Sequence, residues 1–170
     1  MNTEQLQSVQ SPLKKAYKEN PGKAFYTLKA RGTIGEGISC KVETGKALVE
    51  AGLHSATGGN GLMACSGDML LEALVACAGV TLNAVATAIG VQIEEGIVRA
   101  EGDLDFRGTL GVSKEIPVGF QNIRLFFDLK SNASEEQLSS LIRLTERYCV
   151  IYQTLAHSPT IEIKQTTIKS

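Results

Sequence analysis

The sequence has 170 residues, of which 43% are apolar and 21% are charged, and these proportions are typical of one folded globular domain. Seventeen Lys and Arg against 18 Asp and Glu give a net charge of −1, which argues against general electrostatic binding to nucleic acid or to an acidic membrane. Aromatic residues make up only 5% of the chain, so platforms for stacking nucleic-acid bases are scarce.

The cysteine and histidine content predicts a cytoplasmic protein without a metal site. Four cysteines in 170 residues are too few for a secreted disulfide scaffold, and the N-terminus has no apolar segment followed by a small-residue cleavage site. The chain has two histidines and no C-x-x-C or H-x-x-x-H pair, so we expect no bound zinc. The ATGGNG run lacks the lysine of a phosphate-binding loop and the glycine spacing of a dinucleotide site, so we expect no cofactor.

Residues 1–22 are predicted to form an N-terminal extension, and residues 23–170 the folded domain. The extension is polar and carries one weak apolar stripe at helical spacing, which ends at the Asn20-Pro21-Gly22 turn. The domain begins with short alternating segments and turns, followed by a glycine-rich loop. These segments are a strand over 24–30, a turn over 31–37, its hairpin partner over 38–45 and an extended or helical piece over 48–53.

A long apolar helix is predicted from Asp68 to about Val91, over DMLLEALVACAGVTLNAVATAIGV. Ser66 or Asp68 is expected to cap this helix, and Gly90 is expected to end it. Apolar residues lie on nearly every side, which is typical of a helix that is deeply buried or that spans a membrane. Scattered polar residues and the lack of a nearby basic flank favour the buried helix, so we expect no membrane contact.

Strands and a second helix make up the remainder of the predicted domain. Ser134 and Gln137 form a capping box that opens this helix. Its predicted buried stripe is Leu138, Leu141, Ile142 and Thr145. The other elements are a strand over 91–106 with bulges at Gly96 and Gly102, a hairpin connection over 109–115, a strand over 116–131, a helical continuation over 150–158 and a closing strand over 160–168. This order predicts an α+β fold with antiparallel strands packed around the long apolar helix.

Cys77 and Cys149 lie on the two main predicted helices, and packing of these helices on one sheet can bring the two thiols together. Peroxide reduction by cysteine uses such a pair. The first thiol attacks the O–O bond as a thiolate and becomes a sulfenic acid, and the second condenses with it to a disulfide. Spacing alone favours the alternative that both cysteines are packing groups of the core. Cys40 and Cys65 are expected to be structural, with Cys65 as an alternative resolving thiol.

The attacking thiol needs a neighbour that lowers its pKa. Cys77 lies about nine residues into its helix, beyond the turn where the helix dipole acts, so we expect a cation to supply this effect. Arg147 is two positions from Cys149 and does not share its helix face. Arg31, at the predicted hairpin turn, is the better candidate to hold a thiolate and a developing alkoxide. Glu72 is either a surface residue or a partner for that arginine.

Two motifs in this chain resemble those of the OsmC/Ohr family of osmotically inducible and organic hydroperoxide resistance proteins. ACSGDMLLEALVACAGVTL is similar to the family's central helix, whose pattern is roughly S-P-x-D/E-L-L-L-A-A-L-x-x-C-x-x-M-T-L. ERYCVIYQTL is similar to its second-cysteine motif, usually E-x-Y-C-P-x-x-x-T-L. The resemblance extends from about Ala24 to Ile168. It implies an OsmC-like α+β fold that forms an intertwined homodimer, with two active sites at the subunit interface.

The resemblance also implies an activity, the reduction of organic hydroperoxides with re-reduction by a dithiol that is often a dihydrolipoyl group. By motif, Cys77 corresponds to the peroxidatic thiol and Cys149 to the resolving thiol. The family uses an arginine from the N-terminal hairpin, for which Arg31 is the candidate, and an acid on the central helix, for which Asp68 or Glu72 is the candidate. The apolar surroundings expected for Cys77 favour an alkyl or lipid hydroperoxide over hydrogen peroxide.

The sequence departs from the family pattern in three respects, at Gly67 and Val150. Ser66-Gly67 replaces the usual Ser-Pro, Gly67 occupies the place of the glutamate of the hydroperoxide-resistance branch, and Val150 replaces the proline after the second cysteine. These differences indicate a divergent member. They leave open an alternative function, that of a non-catalytic stress or ligand-binding protein with a hydrophobic pocket at the dimer interface.

Overall fold

The structure is a computed structural model that describes residues 2–20, 31–34, 39–43 and 48–166. Its helices are α1 (Thr3–Glu19), α2 (Ser66–Ile89), α3 (Phe106–Thr109), α4 (Glu135–Tyr148) and α5 (Val150–Ala156). Its strands are β1 (Arg31–Ile34), β2 (Ser39–Glu43), β3 (Leu48–Gly52), β4 (Ala64–Cys65), β5 (Glu95–Asp103) and β6 (Asn122–Lys130). This order, with antiparallel strands and a long central helix, confirms the predicted α+β fold.

Strands β1 to β4 form one sheet in sequence order, with antiparallel neighbours up to β3 and a parallel pairing of β4 with β3. The predicted turn over 31–37 is wrong at its start, because pairing with β2 keeps Arg31–Ile34 extended and sets Arg31 opposite Glu43. Strand β3 shows that the piece predicted over 48–53 is extended and not helical. The predicted strand over 24–30 lies outside the described residues.

Strands β5 and β6 form a long antiparallel hairpin whose register runs from Glu95 opposite Lys130 to Asp103 opposite Asn122. The bulges predicted at Gly96 and Gly102 are wrong, because the register continues through both glycines without an extra residue. The ring of Phe120 occupies the space that a side chain at Gly102 would need, which accounts for the absence of a side chain there. The connection between the two strands includes α3 and the loop that follows it.

The two faces of the hairpin differ in character. The outward face carries ion pairs, among them Arg99 with Asp128 at 2.9 Å and Arg124 with Asp103. The inward face is apolar and packs against α2. Its side chains in contact with the core are Val98, Ala100, Ile123, Leu125, Phe127 and Leu129.

Helix α2 begins one to three residues earlier than the predicted caps place it. Its N-cap is Cys65, whose side chain makes no capping hydrogen bond, so the predicted caps Ser66 and Asp68 are wrong and both lie in the first turn. Its C-terminal end is as predicted: Gly90 has φ 73°, a left-handed conformation that glycine adopts without a Cβ penalty, and its N–H donates to the carbonyl of Ala86.

Helix α2 is buried along one side only. Leu74, Ala78, Leu82, Val85 and Ala86 are buried against the hairpin, α4 and α5. The prediction of a helix buried all round is therefore wrong for the single chain.

The opposite side of α2 carries an exposed apolar stripe, which we define as Ala73, Ala76 and Val80, and the side chain of Val80 is 72% exposed. Among the described residues, α2 is the one helix long and apolar enough to cross a membrane. Its packing against β5, α4 and α5 identifies it as the core helix of the domain.

The N-terminal extension contains α1, which confirms that its weak apolar stripe is helical. This helix reaches the C-terminal end of α2, where Thr3 Oγ1 donates a hydrogen bond to the carbonyl oxygen of Thr87 at 3.0 Å. The division of the chain into an extension over 1–22 and a domain over 23–170 stays a prediction.

Helix α4 begins at the predicted capping box, in which Ser134 and Gln137 bond each other's backbone amides. Leu141 and Thr145 of the predicted stripe are fully buried, and Leu138 and Ile142 are half-buried. The predicted helical continuation is interrupted at Cys149, and α5 follows as a separate helix.

The closing strand predicted over 160–168 is absent from its described part, residues 160–166. A strand needs a neighbouring strand to pair its backbone groups, and the described hairpin consists of β5 and β6 alone. The alternating Ile161 and Ile163 are 83% and 90% exposed.

We expect Leu141→Ala to lower the free energy of unfolding by about 2–5 kcal/mol, because it leaves a cavity at the contact between α2 and α4. The control Leu62→Ala, at a side chain that is 86% exposed, should change it by less than about 0.5 kcal/mol. Chemical denaturation of both variants measures the difference. Equal losses in the two variants would contradict the placement of Leu141 in the core.

Candidate active site

Packing of α2 against α5 brings Cys77 and Cys149 together. Cys77 lies in the middle of α2, and Cys149 lies between α4 and α5. Cys149 is 1% exposed, Cys77 is half-buried, and their side chains are hydrogen-bonded to each other as free thiols. The pair that the sequence analysis singled out is therefore close in space.

An apolar cluster surrounds the two sulfurs. Side chains from α2, the hairpin and α5 pack against them. These side chains are Leu74, Ala78, Val98, Ala100, Ile123, Leu125, Phe127, Ile151, Tyr152 and Leu155. Partial burial in such surroundings opposes ionisation of either thiol.

The helix is interrupted at Cys149, whose backbone is extended with φ −74° and ψ 108°. In an uninterrupted helix, the N–H of Val150 would donate to the carbonyl of Glu146. That carbonyl instead accepts a hydrogen bond from Gln153 Nε2 at 2.8 Å. The first bond inside α5 runs from the N–H of Gln153 to the carbonyl of Cys149 at 2.9 Å. The amides of Val150, Ile151 and Tyr152 consequently precede the first internal hydrogen bond of α5.

These amides donate to the sulfurs and separate the ionisation of the two thiols. Burial is the largest influence on Cys77 and opposes its ionisation. Hydrogen bonds from the Ile151 amide, the Cys149 thiol and the Val150 amide outweigh it, so that the pKa of Cys77 lies below its ordinary value. Burial raises the pKa of Cys149, and its hydrogen bond to Cys77 and the charge of Cys77 raise it further. Hydrogen bonds from the amides of Tyr152 and Ile151 lower this pKa, but they do not outweigh the other effects.

Thr81 also contributes to this site. Its hydroxyl hydrogen-bonds Cys77 and helps to lower the pKa of that thiol. Thr81 lies four residues after Cys77 on α2, a spacing that sets two side chains on one helix face. This helical spacing from Cys77 is the signal in the sequence that marks Thr81.

The expected cation is not among the groups that lower the pKa of Cys77 within the described part of the chain. Arg147 instead lies over the ring of Tyr148, with 5.6 Å between its guanidinium carbon and the ring centroid. Arg31 begins β1, and its side chain is outside what the structure describes. The described donors to Cys77 are neutral amides, a thiol and a hydroxyl, and the expected cation stays a prediction.

The acidic candidates lie away from Cys77 within one chain. Asp68 and Glu72 are both exposed, and five residues along α2 turn Glu72 about 140° away from Cys77. Asp68 instead lines a cavity of about 350 Å³ together with His54 and Cys65. Twelve residues of helix place Cys65 about 18 Å from Cys77, too far for a disulfide within one chain. The roles of Arg31, Asp68 and Glu72 stay predictions.

A larger cavity of about 430 Å³ lies between β6, α4 and α5. Its walls are mainly apolar, with Glu146, Gln121 and Asn122 as polar groups. Leu74, Tyr152 and Leu155 line this cavity and also belong to the cluster around the cysteines. The cavity can therefore hold an apolar molecule one side chain away from the thiol pair.

Comparison with known proteins identifies the fold. The family model described as OsmC-like protein matches residues 59–164. The structure is similar to an OsmC-like protein from Mycoplasma pneumoniae, with a TM-score of 0.64, 19% identity and coverage of 78% of this chain and 89% of that chain. No curated protein matches the chain in sequence.

Two further solved structures carry a description of their role. An organic hydroperoxide resistance protein from Elizabethkingia anophelis has a TM-score of 0.63 and 18% identity, with 79% of this chain and 91% of that chain covered. An organic hydroperoxide resistance protein OsmC from Legionella pneumophila has a TM-score of 0.62 and 16% identity, with 78% and 91% covered. At these identities the likeness shows a shared fold.

We expect Thr81→Val to raise the pKa of Cys77, because it removes one of several donors to the thiolate. Thiolate is the species that iodoacetamide alkylates, so the labelling rate of Cys77 rises with pH. In Thr81→Val this rise should occur at higher pH than in the parent. Site-resolved mass spectrometry measures the labelling of each cysteine. Thr81→Ser keeps the hydroxyl and should follow the parent, and labelling of Cys149 at lower pH than Cys77 would contradict the assignment.

Proposed function

The chain belongs to the OsmC-like protein family, and on this basis we propose that it is a thiol-dependent peroxidase that reduces organic hydroperoxides through Cys77 and Cys149. The observation that carries the proposal is the hydrogen-bonded thiol pair, in which the pKa of Cys77 is lowered and that of Cys149 is raised. One thiol is thus prepared as the nucleophile and its neighbour retains its proton. The relatives described as organic hydroperoxide resistance proteins support the same reaction class.

The proposed reaction has two steps. The thiolate of Cys77 attacks the terminal oxygen of the hydroperoxide, an S–O bond forms as the O–O bond breaks, and the alkoxide leaves and takes a proton to become the alcohol. Cys149 then attacks the sulfur of the sulfenic acid, so that a disulfide forms and the hydroxyl group leaves as water with the thiol proton. A dithiol of the lipoyl type restores both thiols by exchange.

The substrate we propose is an alkyl or lipid hydroperoxide. The cavity of about 430 Å³ is bordered by apolar side chains that also pack around the cysteines, so a hydrocarbon tail bound there lies near the reacting sulfur. Hydrogen peroxide has no such tail and gains nothing from this cavity. We retain Arg31 as the group that stabilises the leaving alkoxide, with Asp68 or Glu72 holding its guanidinium, because a guanidinium suits a developing oxyanion.

We propose that the protein is a homodimer in which the apolar stripe of Ala73, Ala76 and Val80 is covered by a second copy. The stripe is exposed in the single chain although it belongs to the central helix. Alanines at successive helical turns allow another helix to approach closely. A face of this kind on the longest apolar helix is typical of a surface that another protein chain covers.

A specific observation favours the alternative function, a non-catalytic ligand-binding protein. The residues that line the cavity of about 430 Å³ include neither Cys77 nor Cys149. Gly67 also stands where the hydroperoxide-resistance branch has a glutamate. Under this alternative, the apolar molecule binds and the cysteine pair remains reduced.

We expect Cys77→Ser to abolish consumption of cumene hydroperoxide, because serine supplies no thiolate at neutral pH. The parent should lose about 2 Da of intact mass on oxidation, through a Cys77–Cys149 disulfide. Cys149→Ser should stop at the sulfenic acid, which dimedone labels. The control Cys65→Ser should retain full activity. Hydroperoxide loss in Cys77→Ser at the parent rate, or a bound apolar ligand without turnover, would refute the peroxidase.

We expect Val80→Glu to convert the dimer to a monomer, because it places a charge on the covered stripe. The control Ile97→Glu changes a side chain that is 62% exposed on the charged face of the hairpin and should leave the dimer intact. Light scattering coupled to size-exclusion chromatography gives the mass of each variant. A dimeric Val80→Glu variant would place the interface elsewhere.

A further inference from the structure

We infer that the ring of Phe120 ends the substrate cavity, and that it selects hydroperoxides with a compact alkyl or aryl tail over those with a long lipid chain. The inference rests on the proposed function, in which the tail of the hydroperoxide lies in the cavity of about 430 Å³ beside the thiol pair. The proposed function names alkyl and lipid hydroperoxides together, and the position of this ring separates them.

Phe120 lies between two cavities. Among the described residues, Phe120 alone lines both the cavity of about 430 Å³ and the cavity of about 350 Å³ to which Asp68 belongs. The two cavities follow each other along α2, because Leu74 lines the first and Leu71 lines the second. Residues three apart share a helix face, and Cys77 lies three residues after Leu74. A tail that extends from Cys77 toward the N-terminal end of α2 therefore reaches Phe120 before it reaches the second cavity.

Two glycines leave the space that this ring occupies. A Cβ at Gly102 on β5 would overlap the ring of Phe120, and a Cβ at Gly67, in the first turn of α2, would lie 3.4 Å from Phe120 Cζ. The N–H of Gln121 donates to the carbonyl of Asp103 at 2.9 Å and joins the backbone next to Phe120 to β5. The ring is consequently held as a wall between the two cavities.

The second cavity offers apolar space behind the ring. Its apolar side chains besides Phe120 are Leu71, Leu104 and Phe106, and the ring of His54 stacks on Phe106 with 5.0 Å between the centroids. Each methylene group that moves from water into apolar surroundings improves a dissociation constant about fourfold. A long tail obtains this gain only when the ring of Phe120 is absent. A compact tail, such as that of cumene hydroperoxide, fits the first cavity and does not need the second.

Phe120 can be changed without opening the core, because it is half-buried and belongs to neither core cluster. Phe120→Ala removes the wall. The matched control Val118→Ala shortens a side chain that is 62% exposed and lines neither cavity. Circular dichroism verifies folding, and if Phe120→Ala does not fold, Phe120→Leu takes its place, since leucine is shorter than the ring and remains apolar.

Straight-chain alcohols are products of the proposed reaction and report on the cavities without turnover. Isothermal titration calorimetry measures the binding of octanol, decanol, dodecanol and tetradecanol. In the parent and in Val118→Ala, the dissociation constant should stop improving once the chain fills the first cavity. In Phe120→Ala it should continue to improve, so that tetradecanol binds about tenfold more tightly than to the parent. The same dependence on chain length in the parent and Phe120→Ala overturns the inference, as does an equal loss of affinity for all four alcohols.

The selection among substrates is measured with dodecyl hydroperoxide and cumene hydroperoxide. We expect Phe120→Ala to raise the ratio of kcat/KM for the dodecyl compound over the cumyl compound about tenfold, through a lower KM for the dodecyl compound. A ratio equal to that of Val118→Ala overturns the inference. Failure of the proposed function is distinguishable, because a parent that consumes no hydroperoxide refutes the peroxidase, whereas the alcohol series still tests whether Phe120 separates the two cavities.

Discussion

The interruption of the helix at Cys149 is the feature on which the candidate site depends. A straight continuation of α4 would give each amide to the carbonyl four residues before it and leave the Cys77 sulfur among apolar side chains without amide donors. The extended conformation at Cys149 releases three amides at the point where α2 passes. Each hydrogen bond lost from a helix costs about 1 kcal/mol, and the bond from Gln153 to the Glu146 carbonyl offsets part of this cost.

The same interruption helps to shift the pKa values of the two thiols in opposite directions within one apolar cluster. Both sulfurs are desolvated, so burial alone would raise the pKa of each and leave both inert. The donors converge on Cys77, and Cys149 is itself one of them, so the proton remains on Cys149 when Cys77 ionises. Peroxide reduction needs this order, because the nucleophile must be a thiolate first and the resolving thiol acts only after the sulfenic acid has formed.

Helix ends that are marked by particular side chains could be predicted from the sequence. The interruption of the helix at Cys149, which depends on backbone conformation, could not. The capping box of Ser134 and Gln137 and the glycine at position 90 mark helix ends that the structure confirms. The residues after Cys149 favour a helix, and no side chain there signals a break. Released amides have no sequence signature of their own, so the amide donors to Cys77 could not be predicted from the sequence. Likewise, the alternation at Ile161 and Ile163 indicates a strand, but pattern alone does not supply a neighbouring strand.

The exposed stripe on α2 connects the proposed dimer to the thiol chemistry. Val80 lies three residues after Cys77, which places it within about 60° of Cys77 around the helix. A second copy packed over the stripe would therefore border Cys77 and remove water from its more open side. Removal of water disfavours the thiolate and raises its pKa, so the dimer alone would work against the nucleophile. Backbone amides that donate to the sulfur oppose this rise in pKa, because their hydrogen bonds stabilise the thiolate without water. In a dimer, the amides of Val150 and Ile151 would consequently carry a larger share of thiolate stabilisation than they do in the single chain.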